Sequence, residues 1–191
     1  MEIPSTKTVS NKIINAFLEA IYDVLDADGK LSIIRHAKLD YLKKSLPPKG
    51  EIPYDDFVKL VNSMNSLLCY SDQVIYEIGR KFSFYLSPFG NQIENLLPFL
   101  EENLFQDIDI QIERKKNTLI LIRMNRCPFC QGALSIVPNL GDDTYKCEFF
   151  KGFLYETVKK ATGHRASINI NQIKKEDMQC EFEVHLDSKE S

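Results

Sequence analysis

The chain has 191 residues, of which 43% are apolar and 27% charged. That is the mix of a folded globular chain, and it excludes a disordered tail and a fibrous repeat. With 27 acidic against 24 basic residues the formal net charge is −3, which argues against nucleic acid as the partner.

No apolar run approaches the ~20 residues of a membrane-spanning helix. The first residues, Met1-Glu2-Ile3-Pro4, carry no signal-peptide pattern. A cytoplasmic location away from any membrane is therefore expected. Gly and Pro number only 8 each, which favours long regular elements.

In chain order, Ile13, Ile14, Phe17, Leu18, Ile21, Tyr22 and Leu25 recur at helical spacing, with Ser10 as the N-cap. Asp26-Ala27-Asp28-Gly29 is expected to stop that helix, and a second is expected over 30–42. Leu46-Pro47-Pro48-Lys49-Gly50 is a break. Pro53 and Tyr54 open a helix to about Leu68, and Ser71 or Asp72 caps another through Tyr85. Gly79 sits inside that helix, where it costs about 1 kcal/mol relative to Ala and permits a close approach. A further helix is expected over 92–104.

At Gln106 the apolar period shifts from 3.6 to 2. Ile108, Ile110 and Ile112 begin a strand, and 118–124 returns as its hairpin partner. Short strands are possible at 133–137 and around Tyr145. Residues 148–162 revert to a helix closed by Gly163, and 166–170 and 178–186 are strands. On the last strand Cys180, Phe182, Val184 and Leu186 alternate with Glu181, Glu183 and His185. The fold class is α+β, with N-terminal helices followed by an antiparallel sheet of about four strands packed with helices. Three segments are expected: a helical one over 1–70, a ligand-binding domain over 71–186 and a frayed tail over 187–191.

Five cysteines are many for a reducing compartment, where clustered thiols point to metal rather than to disulfides. Cys127-x2-Cys130 has the spacing that lets two thiolates share a tetrahedral ion. Cys147 opens a helix, where the macrodipole favours a thiolate, and Cys180 lies on the inward face of the last strand. Together the four could form an all-sulfur site for zinc, with a 4Fe–4S cluster as the rival. Against this stands the plain tendency of cysteine to be buried, which suffices for Cys180 or Cys69 taken singly.

Phe149, Phe150, Phe153 and Tyr155, with the earlier Phe82, Phe84, Tyr85 and Phe89, could line a cavity for an apolar ligand, although ordinary core packing explains the same spacing. His36, His164 and His185 suit surface or capping roles, and a haem ligand or catalytic base among them stays open. No GxSxG, P-loop, GxGxxG or HExxH motif occurs. A binding or sensing module is therefore expected rather than an enzyme.

The stretch Cys147-Glu148-Phe149-Phe150-Lys151-Gly152-Phe153-Leu154, then Thr162-Gly163 and Cys180-Glu181-Phe182-Glu183-Val184, resembles the vinyl-4-reductase domain family of hydrocarbon-binding proteins. Ile75-Tyr76-Glu77-Ile78-Gly79-Arg80 is similar to a helix of the same family. The resemblance implies a fold shared with haem nitric-oxide-binding domains and with small subunits of vesicle-tethering complexes. It implies a pocket between helices and sheet for a small apolar molecule, a homodimer, and in some members a zinc site held in part by cysteines matching Cys147 and Cys180. The family's other two ligands, a carboxylate and a cysteine, would fall at Gln172 and Asn169, which cannot serve. Cys127 and Cys130 are the substitutes expected here. A protein scaffold like the tethering subunits is the third reading.

Overall fold

Ser10 begins the first helix as the sequence predicts, its hydroxyl accepting a hydrogen bond from the Lys12 amide at 3.2 Å. The computed structural model describes residues 7–69, 71–86, 110–116, 118–125, 147–163, 165–174 and 179–187. The expected helix at 92–104, the strands near 133–137 and Tyr145, and Phe89 and His164 lie outside them.

Strand β1 (Thr8–Ser10) leads into helix α1 (Asn11–His36). The expected stop falls at Asp26, where the helical path breaks and two helical halves join at a kink with no loop between them. Asp26 takes φ 63°, ψ −169°, a backbone region that belongs to glycine. Its carboxylate Oδ1 accepts from the Asp28 and Gly29 amides at 2.9 and 3.2 Å, so it caps the second half at once. That half ends at His36 rather than 42, and a 3₁₀ turn (Asp40–Lys43) follows. Strand β2 (Glu51–Pro53) pairs antiparallel with β1, a two-stranded ribbon that its three-residue strands conceal in the sequence.

Helix α2 (Tyr54–Leu67) and helix α3 (Asp72–Leu86) follow the predicted bounds closely. Strands β3 (Ile110–Lys116) and β4 (Leu119–Asn125) form the hairpin, with a bulge near Arg114. Helix α4 (Glu148–Thr162) ends at Gly163, whose φ of 70° is the left-handed cap conformation and whose amide donates to the Lys159 carbonyl at 2.9 Å. Strands β5 (Ala166–Lys174) and β6 (Gln179–Leu186) complete an antiparallel four-stranded sheet in the order β3-β4-β6-β5. The fold is α+β, helices packed on an antiparallel sheet.

Helices α3 and α4 cross at two glycines. A methyl group on Gly79 would overlap the Phe149 carbonyl, and one on Gly152 would overlap the Tyr76 carbonyl. Each helix thus presses a bare Cα into the other's backbone. Four residues beyond Gly79, the buried hydroxyls of Ser83 and Thr157 satisfy each other at 2.9 Å. Arg80 ties the rim, donating to Glu77 on its own helix and to Glu156 on α4.

The buried core is continuous from Val9 to Val184 and crosses the expected boundary near residue 70. Among the described residues no helix is long and apolar enough to cross a membrane.

Candidate functional site

Seven phenylalanines form a spine through the molecule. Phe57 of α2 meets Phe17 of α1 edge-on at 5.7 Å. Phe17 meets Phe82 of α3 at 5.6 Å and Phe149 of α4 at 5.7 Å. Phe82 also touches Phe149 and Phe153 at 5.6 and 5.8 Å. Phe153 meets Phe150 at 5.4 Å, and Phe150 reaches Phe182 of β6 at 5.2 Å. All seven are at most 2% exposed. These centroid spacings are those of rings in direct contact.

Of the residues expected to meet a ligand, Phe149, Phe150 and Phe153 therefore stand together in the middle of this spine. Tyr85 stands apart. Its hydroxyl donates to Asp23 Oδ2 at 2.9 Å, and its ring meets Phe84 edge-on at 5.4 Å. Lys81 reaches the same carboxylate at 3.1 Å. Hydrogen bonds from Lys81 and Tyr85 hold the Asp23 carboxyl below its ordinary pKa.

Two of the four proposed metal ligands fall on described residues. Cys147 is the N-cap residue of α4 and Cys180 lies in β6; both are buried. The α4–β5 connection spans three residues, and β5 and β6 are antiparallel, so β6 runs in the direction of α4. Cys147 precedes Phe150 by one helical turn, and Cys180 precedes Phe182 by one strand repeat. Because Phe150 and Phe182 touch, the two cysteines lie at the same end of the helix–sheet interface. Met124 of β4 pairs with Cys180, at that same end. Cys127 and Cys130 lie outside the described residues. Among the described residues no group of three or more His, Cys, Asp and Glu side chains is placed to hold a metal ion.

The two described histidines face away from the spine. His36, exposed, sets Nδ1 3.1 Å from the Ser63 hydroxyl. His185 sets Nε2 3.2 Å from Glu183 Oε2 on the outward side of β6.

On the outer side of the α3–α4 crossing lies an open depression of about 270 Å³, lined by Glu77, Arg80, Lys81, Phe84 and Glu156. Lys160 stands 4.7 Å over the Phe84 ring, and burial lowers its pKa, with Glu156 opposing. Of the described residues expected to line a ligand cavity, Phe84 alone borders this depression. Periodicity marks Arg80 as polar, but its two-helix bridge depends on the crossing that the glycines permit.

With this geometry the chain has the fold of the H-NOX proteins. The Fe(II) unliganded H-NOX protein from K. algicida matches it with a TM-score of 0.61 at 13% identity, over 96% of this chain and 99% of that one. An oxygen-binding H-NOX domain related to soluble guanylate cyclases, solved as its oxygen complex, gives 0.59 at 13% identity over 95% of each chain. A third structure, from work on haem distortion in the H-NOX family, gives 0.60 at 13% over 95% of each. No family model matches the sequence, and no curated protein matches it.

The described residues fit haem poorly. A histidine axial ligand must face the porphyrin, whereas His36 and His185 both sit on the outside with polar partners. Among the described residues, the phenylalanine spine packs the buried interior between α1, α3, α4 and the sheet.

Proposed function

We propose that this chain is a small-molecule-binding or sensing module of the vinyl-4-reductase domain type, built on the H-NOX fold. In this reading its ligand is a small hydrophobic or aromatic molecule. A structural zinc at Cys127, Cys130, Cys147 and Cys180 fastens β4, α4 and β6 together. A 4Fe–4S cluster at the same all-sulfur set is the alternative.

The observation that carries the metal reading is the convergence of Cys147, Cys180 and the end of β4 at one edge of the helix–sheet interface. Chain length supports it further. In sequence, Cys127 follows Met124, the partner of Cys180, by only three residues. The end-to-end likeness to ligand-binding H-NOX domains supports the sensing role. In this reading the ligand sits beside α4 and reaches Phe149, Phe150 or Phe153 by a side-chain rearrangement, since these rings are buried in the free chain. A homodimer acting on a protein partner in the cytoplasm completes the reading.

The test is metal analysis with an absorption spectrum on anaerobically purified chain, beside a Cys127→Ser/Cys130→Ser variant. About one zinc per chain, colourless and lost in the variant, is expected. Iron with a broad band at roughly 400 nm would establish the cluster instead. No metal in the unaltered chain would overturn the four-cysteine site.

A further inference from the structure

We infer that this chain uses an H-NOX fold without haem, its own phenylalanines filling the interior. The spine is the primary ground. Each of Phe17, Phe82, Phe149, Phe150 and Phe153 touches at least two other rings, at centroid spacings of 5.2–5.8 Å. A tetrapyrrole is a flat plate far wider than one benzene ring. Inserting it would separate rings that are in direct contact, the edge-to-face pairs at Phe17 and the tilted pairs along Phe82, Phe149, Phe153, Phe150 and Phe182 alike.

The helices also cannot open around it at small cost. Gly79 and Gly152 seat α3 and α4 backbone to backbone, with the Ser83–Thr157 hydroxyl pair one turn further along the same seam. Parting them to admit a cofactor would bare both hydroxyls to an apolar surrounding, and an unpaired buried polar group is costly.

The donors point the same way. Of the described histidines, His36 and His185 lie outside the spine beside Ser63 and Glu183. Cys147 and Cys180 are buried, one helical turn before Phe150 and one strand repeat before Phe182, whose rings are in contact. A porphyrin centred on either sulfur would have to displace that ring pair.

The inference stands whether or not the cysteines hold zinc, and the test is separate from metal analysis. Haemin is titrated into the purified full chain, with absorbance read in the Soret region and thermal unfolding followed on the same sample. The expected result is no saturable one-to-one complex and a Tm that moves by less than about 1 °C, in a sample that unfolds cooperatively. A broad, non-saturating absorbance removed by albumin is surface adsorption and agrees with the inference.

A saturable one-to-one Soret complex, whichever residue ligates, would overturn it. Such binding at hundredfold excess over Kd would raise Tm by roughly 5–10 °C.

Discussion

Asp26 holds a conformation that suits glycine, yet its side chain earns two amide hydrogen bonds there. Asp26→Asn keeps an acceptor and should leave stability nearly unchanged. Asp26→Ala keeps the strain but loses the cap, and should cost about 1 kcal/mol in urea unfolding. At Phe153 the whole ring is buried between Phe82 and Phe150. Phe153→Ala should therefore cost about 3–5 kcal/mol, a large share of a domain's stability, read as a fall in the urea midpoint. Asp23 shows a pH effect with a definite sign. Its carboxyl is held low in the folded state by Lys81 and Tyr85. The stability it adds is present above the unfolded carboxylate value and lost as pH falls below it. The gap between the parent and Asp23→Asn should thus be present at pH 7 and close below about pH 4, as measured by denaturation across that range.

Between elements, the α3–α4 seam decides the arrangement. Replacing glycine by alanine within a helix ordinarily gains about 1 kcal/mol. Here Gly79→Ala or Gly152→Ala would drive a methyl into the opposite backbone, so each should destabilise by several kcal/mol, with loss of the cooperative transition as the extreme. Ser83→Ala should cost about 1–3 kcal/mol by stranding the Thr157 hydroxyl, and Ser83→Ala/Thr157→Val should cost less than the two single changes together. Gly79 was legible as a permissive position in a helix. Its partner Gly152 is not, because pairing two glycines 73 positions apart requires knowing that α3 crosses α4 there.

For the whole molecule, the sequence by itself determined what depends on neighbours along the chain. Helix and strand periods, the caps at Ser10 and Gly163, the β3–β4 hairpin and the α+β class all follow from local spacing, because burial of one face imposes its period on the residues. It failed where short-range signals are weak or outvoted. The three-residue strands β1 and β2 carry no period to read. At Asp-Ala-Asp-Gly the sequence placed the stop but not its form: Asp26 leaves the helical path and caps the second half at once, with no loop between. The candidate site divides in the same way. Cys147, Cys180 and the phenylalanines could be picked out by type and spacing. Only the tertiary structure joins Phe149, Phe150 and Phe153 into one spine and sends Tyr85 to Asp23 at the surface. Only the sheet register sets Met124 against Cys180 at the Cys147 end of α4. Such contacts arise from the packing of distant elements, and residue spacing carries no term for that.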